Sequence, residues 1–298
     1  MTTAGRLWQP EPGRRLIGRQ PAHGQASVGS HQGDYGLSCA SGTPVVAAAC
    51  LRQTGAVGSI IWGPEVAATY DDSTSGPFDP TVINETVDVL AALAQGGSAL
   101  EFAVGTGRIA LPLSRRGVRV AGIELSPHMA AQLAKKPGAE AIEVVLGDMC
   151  TASVPGSFRL VYVIYNAITI VTTQDEQVAV FANAARHLEP GGIFLVEVVI
   201  TRPTPGSGIG QVFYHVKDHL AFDTFDDPVG QVACSHHWRV IDGQVVRTST
   251  PFRYLWPSEM DLMARLAGLT LRERWADWDR TSFGPESTKQ IAVYELTG

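Results

Sequence analysis

The chain has 298 residues, 45% of them hydrophobic and 17% charged, with a formal net charge of −6. This composition excludes disorder throughout, and the length holds one large α/β domain with an insertion or two modest domains. The acidic balance, with no long Lys/Arg cluster, excludes the electrostatic footprint of a nucleic-acid binder and leaves a small-molecule acceptor as the expected partner.

Cys39, Cys50, Cys150 and Cys234 form no C-x-x-C pair and have no neighbouring ligand histidines, so reduced thiols are expected, with neither a metal site nor a disulfide framework. No run of about eighteen apolar residues is available to span a bilayer. Arg6, Arg14, Arg15 and Arg19 are not followed by the apolar stretch of a secretory signal. The expectation is a cytoplasmic protein without a membrane partner, as a monomer or homodimer.

Residues 1–57 are rich in Gly, Pro, Ser, Gln and Ala and lack a sustained helical or strand period. Such a segment cannot offset its ordering entropy, and a disordered N-terminal extension is expected; a start codon assigned too far upstream produces the same composition. Order is expected from Ile60, in a domain over 58–298 with an insertion at about 203–256. Asp79-Pro80 supplies a helix N-cap and a first helical residue, Ile83, Val87, Leu90 and Leu93 follow at helical spacing, and Gly96-Gly97 closes the helix.

From residue 98 onward, apolar runs at 99–104, 118–123, 141–146, 160–164 and 192–199 alternate with helical patterns at 108–116, 127–135 and 175–188. That alternation predicts parallel crossovers. After Val199 the pattern changes. A Pro/Gly-rich stretch at 202–210 leads into strand-like runs at 211–216, 220–225, 231–241 and 244–254, with turns at Asp226-Asp227-Pro228 and Asp242-Gly243. A helix at 257–267, closed by Gly268, and strands at 269–275 and 290–296 complete the chain. The expected fold is α/β: a doubly wound, mostly parallel seven-stranded sheet with helices on both faces, an antiparallel last strand, and an antiparallel β insertion, or lid, after strand 5.

Gly105-Thr-Gly107 lies where a strand ends and a helix opens, so backbone can approach a ligand there. With Ala110 the run satisfies the G-x-G-x-x-(G/A) pattern, which makes an NAD(P)-dependent oxidoreductase one reading. Glu101 favours another, because a carboxylate four residues before the glycine can hold the loop and face a cationic amino-acid moiety, whereas a pyrophosphate gains nothing from it. Glu124 ends the second strand, where it can accept both hydroxyls of a ribose. Ser126-Pro127 caps the next helix. Asp148 ends the third strand, where it can accept from an adenine amino group while Met149 packs on the ring.

The series Glu101-x-x-x-Gly105-Thr-Gly107, Ile123-Glu124-Leu125-Ser126, Gly147-Asp148-Met149 and Leu188-Glu-Pro-Gly-Gly192 resembles the class I S-adenosylmethionine-dependent methyltransferases. The resemblance implies S-adenosyl-L-methionine as cofactor. Glu101, Gly105 and Gly107 would surround its methionine part, Glu124 would bind its ribose and Asp148 with Met149 would frame its adenine, with Ala103 and Leu125 also among the cofactor-binding residues. Tyr70 resembles a tyrosine that reaches the cofactor's carboxylate in many members. Ala103 departs from the glycine common in the family and needs a methyl's extra room. The insertion is similar in architecture to the lid of small-molecule methyltransferases, including sugar N,N-dimethyltransferases.

Methyl transfer to N or O of a small molecule is therefore the expected function, and a cofactor-binding module without catalysis is a third reading. An oxygen acceptor needs a base and a neutral amine does not. Tyr165 and Asn166, after the fourth strand, are candidates for facing the substrate; alternatively Tyr165 packs and Asn166 turns the chain. His236 and His237 are candidate bases, with a role in the lid's own hydrogen bonding as the alternative. Neighbours on a strand point to opposite faces, so the pair cannot jointly hold a metal. His215 and His219, four apart on a strand, make no metal face either, and no metal is expected. Arg253, Tyr254 and Trp256 are candidates for a substrate wall, or for packing beneath the lid.

Overall fold

A computed structural model describes residues 61–72, 76–203, 209–216 and 218–297. The extension expected at 1–57, the onset of order at Ile60, and Cys39 and Cys50 lie outside the described residues. Helix α1 (Pro64–Thr69), which hydrophobic periodicity did not mark, starts on a proline, and α2 (Pro80–Ala94) follows. The Asp79 side chain accepts from the Thr81 amide at 2.8 Å, and Gln95 turns left-handed at φ 50° to end α2.

Strands β1 (Ala99–Phe102), β2 (Val120–Glu124), β3 (Glu143–Leu146), β4 (Phe158–Val163) and β5 (Leu188–Val199) alternate with α3 (Ala110–Arg115), α4 (Pro127–Ala134) and α5 (Gln174–His187). After the insertion come α6 (Pro257–Leu266), β10 (Leu269–Trp275) and β11 (Lys289–Leu296). The main sheet has the order β10-β11-β5-β4-β1-β2-β3, with β11 antiparallel to both neighbours. This is the expected doubly wound fold. Strand β1 is shorter than its apolar run because Ala103 leaves the extended region for φ 55°.

Both faces of the sheet are buried, as crossover helices on each side require. Along β4, Leu160 and Tyr162 join a core with Leu90, Ile109 and Leu113, while Val161 and Val163 join the opposite core with Phe181, Phe194 and Tyr294. The strand order reverses between β4 and β1, which opens a crevice at their carboxyl ends.

The insertion between β5 and α6 is a second antiparallel sheet of β6 (Ile209–Val216), β7 (His219–Asp227), β8 (Val232–Ile241) and β9 (Gln244–Arg253). Asp242 and Gly243, at φ 50° and 73°, form the two-residue turn that joins β8 to β9. Cys234, expected to be a reduced thiol, is disulfide-bonded; such pairing depends on approach in space, which sequence spacing does not reveal. Among the described residues, no helix is long and apolar enough to cross a membrane.

A buried polar cluster fastens this sheet to the helices. Arg253, 3% exposed, pairs with Glu259 at 2.6 Å and donates to the Gln177 side chain at 2.5 Å and to the Gly230 carbonyl at 3.1 Å. Burial raises the Glu259 carboxyl, but hydrogen bonds from Arg253, Gln231 and Gln174 outweigh it and hold the group below its usual value. Arg253 is thus an internal anchor, which corrects its expected place in a substrate wall. Arg253→Met leaves the Glu259 carboxylate with only the Gln174 and Gln231 amides and is expected to destabilise the protein by about 1.5–3 kcal/mol in urea titration, while S-adenosylmethionine affinity under native conditions stays within about twofold of wild type.

Candidate active site

The loop after β1 takes three left-handed residues in five positions, Ala103, Gly105 and Gly107, at φ 55°, 59° and 78°. Glu124 holds it from the next strand. One carboxylate oxygen accepts from the Gly105 amide at 2.7 Å and the other from the Ser126 amide at 2.8 Å. Ser126 in turn caps α4, accepting from the Met129 amide at 3.2 Å, and donates to the Trp62 carbonyl at 2.6 Å. From the outer side, Asp71 accepts from the Thr106 hydroxyl and pairs with Lys136, each at 2.7 Å. At the end of β3, Asp148 accepts from the Cys150 amide at 2.8 Å, which fixes its own turn.

These strand ends enclose a cleft of about 270 Å³. Trp62, Tyr70, Ala103, Gly105, Glu124, Leu125, Asp148 and Met149 are among the residues that line it. Two carboxylates and an apolar floor of Ile123, Leu125 and Met149 fit a nucleoside with free hydroxyl and amino groups.

A second cavity, about 510 Å³, lies between the ends of β4 and β5 and one face of the insertion sheet. Trp62, Tyr165, Asn166, Thr169 and Ile170 line both spaces. Tyr165 and Asn166 are consecutive left-handed residues, at φ 54° and 59°. Glu197 accepts the Tyr165 amide at 2.9 Å, and the Asn166 side chain accepts the Val199 amide at 2.6 Å, so β5 holds this strained turn in place.

A family described as a methyltransferase domain matches residues 99–192, the segment from β1 into β5. The structure of the CcbJ methyltransferase from Streptomyces caelestis is 31% identical, with a TM-score of 0.70, over 78% of this chain and 96% of that one. The chain belongs to the class I S-adenosylmethionine-dependent methyltransferases. A cypemycin N-terminal methyltransferase from a Streptomyces species is 29% identical over 208 residues, 67% of this chain and 83% of that protein. A dTDP-3-amino-3,4,6-trideoxy-alpha-D-glucopyranose N,N-dimethyltransferase from Streptomyces venezuelae is 32% identical over 104 residues, 35% of this chain and 43% of that protein.

S-adenosyl-L-methionine is the cofactor of this methyltransferase, and the oxidoreductase reading is set aside. Two of the residues expected around the cofactor do not line the cleft. Gly107 is a packing glycine, since a Cβ there would meet Leu133 at 2.9 Å. Glu101 lies buried beneath the loop, where register sets it beside Tyr162, whose hydroxyl donates to it at 2.9 Å. Ala103 asks for more than a methyl's room, because its left-handed backbone is strained for any residue but glycine.

On the acceptor side, alternation along β8 separates the two histidines. His237 lines the larger cavity; His236 is on the opposite face, stacked on Phe222 at 5.1 Å and bonded to Thr224 and Ser249. Tyr254 is buried, and Trp256 meets it edge-on at 6.0 Å; neither lines the two cavities. Among the described residues, no group of three His, Cys, Asp or Glu side chains could hold a metal ion.

Sequence reading missed Trp62, Tyr162, Asp223 and Phe252. Trp62 precedes a helix too short to show a period, and the other three enter through strand pairing. It also missed the placement of Arg108, whose guanidinium lies 5.2 and 5.1 Å from the centroids of the Phe78 and Tyr165 rings, which themselves meet edge-on.

Burial pushes the Glu101 carboxyl up to about 8, against the lowering effects of Tyr162 and Arg108. The unfolded chain then releases this proton near its ordinary value while the folded chain keeps it, so stability falls as pH rises from about 4.5 through about 8. Thermal melts of wild type and Glu101→Gln are expected to diverge across that window, the variant losing less stability with rising pH. Glu124→Ala leaves two loop amides without an acceptor, and calorimetry is expected to show S-adenosylmethionine affinity at least about tenfold weaker.

Proposed function

We propose that this methyltransferase transfers methyl to a nitrogen of a small-molecule acceptor seated between the end of β4 and the insertion sheet. The observation that carries this reading is the wall of Trp62, Tyr165, Asn166, Thr169 and Ile170 common to the cofactor cleft and the larger cavity. An acceptor in one space is thereby adjacent to a cofactor in the other, as in-line transfer requires.

S-adenosylmethionine, when bound, supplies an electrophilic methyl group. Glu124 and Leu125 are assigned to its ribose, Asp148 and Met149 to its adenine, and Tyr70, Ala103 and Gly105 to its methionine end. Tyr165 and Asn166, held in the strained turn, orient the acceptor. Proximity and exclusion of water are then the chain's main contribution.

Nitrogen is favoured over oxygen by the basicity of the surrounding groups. Burial, together with Arg239 and neighbouring histidines, pushes the His237 imidazole down to about 4, and burial raises the Tyr165 phenol, which stays protonated. Neither that imidazole nor the Asp223 carboxylate in the same cavity, which burial raises to about 6, is a strong base toward an alcohol, whereas a neutral amine brings its own lone pair. The names of two relatives, an N-terminal methyltransferase and an N,N-dimethyltransferase, point the same way.

Incubation with methyl-labelled S-adenosylmethionine and matched panels of small amines and alcohols tests this reading. Label is expected on amines alone; transfer to alcohols with amines unlabelled would reverse the assignment.

A further inference from the structure

The larger cavity contains a carboxylate that pairs with no cation among the described residues. Asp223, on β7 opposite Ser235 of β8, lines the cavity. It takes part in none of the ion pairs among the described residues. Burial pushes its carboxyl up to about 6, relieved in part by a hydrogen bond from Ser235. A structural aspartate in such a place ordinarily has a guanidinium or several amides around it, because a carboxylate withdrawn from water must be compensated.

Among the described residues of the wall, no cation pairs with Asp223. Arg202 also lines the cavity, but its guanidinium donates to the Pro285 and Ser287 carbonyls on another segment. His237 is held neutral, as described above. Phe225, Phe252, Trp62 and Ile170 supply apolar surface, and a cation bound beside aromatic rings gains from their quadrupoles.

We propose that Asp223 recognises a basic amine of the acceptor, so that the substrate class is a small organic cation with an aliphatic or aromatic body. The assignment rests on the nitrogen-acceptor reading and adds to it the residue that selects the amine. The carboxylate gains the ammonium as its counter-charge and takes the ammonium proton before transfer, which frees the nitrogen lone pair that displaces the methyl group from the sulfonium. The apolar walls take the body of the molecule, and a cavity of about 510 Å³ is within the range of small-ligand sites.

The test uses the full chain saturated with S-adenosylhomocysteine, into which phenethylamine or its uncharged isostere phenethyl alcohol is titrated by calorimetry at neutral pH. The wild type is expected to bind the amine at least about tenfold more tightly than the alcohol, and Asp223→Asn to lose that preference. Asp223→Glu, which keeps the charge, is expected to retain part of it, and this separates loss of charge from loss of fold. Equal binding of amine and alcohol by the wild type, no amine binding at all, or a preference that survives in Asp223→Asn would overturn the proposal. Transfer of labelled methyl to phenethylamine is read in parallel. Amine preference without transfer would count against the nitrogen-transfer reading and leave the recognition role of Asp223 standing.

Discussion

The Glu124 carboxylate is where the cofactor half of this methyltransferase is tied together. By accepting the Gly105 amide on one oxygen and the Ser126 amide on the other, it joins the loop after β1 to the start of α4. Charge-assisted bonds of this kind contribute more than neutral ones, each about 1.5–3 kcal/mol. They oppose the strain of Ala103, whose left-handed backbone would otherwise favour glycine. Gly122 permits the arrangement from below, since a Cβ there would meet Val104 at 2.7 Å.

A second strained element closes the other side of the crevice. Tyr165 and Asn166 turn left-handed in succession where β4 ends, and bonds to Glu197 and Val199 on β5 hold them there. Asparagine tolerates that conformation, and tyrosine does so at a cost. The turn stands at the point where strand order reverses, so its side chains line the smaller cleft and the larger cavity alike. Arg108, from the glycine loop, reaches across to stack on the Tyr165 ring and links the two strained segments.

The insertion sheet contributes through its two-residue period. One face carries Asp223, Ser235 and His237 into the larger cavity, and the other carries Phe222, Thr224 and His236 away from it. On the cavity side the polar atoms form a row. Ser235 Oγ lies 3.4 Å from His237 Nε2, and His237 Nδ1 lies 3.0 Å from His219 Nε2. The Arg253 cluster fixes the base of this sheet to α5 and α6, so the face is presented by a rigid support.

The sequence by itself determined the order and type of nearly every element of the main domain, because apolar period, N-caps such as Asp79 and Ser126, and the Asp242-Gly243 turn are local signals. It also located Gly105, Glu124 and Asp148 at strand ends, where parallel topology gathers them at one crevice. Tertiary structure alone decided what lay across strands or between layers. Tyr162 meets Glu101 only through parallel register, and Gly107 proves to be a packing residue only because Leu133 comes down on it. Arg253 reads as a substrate contact in sequence and as a buried anchor in space, since Gln177 and Glu259 arrive from two different helices. Asp223 has no signal of its own. Its meaning depends on a half-buried place in the cavity wall with no ion pair among the described residues, and a linear sequence cannot show which charges fail to meet.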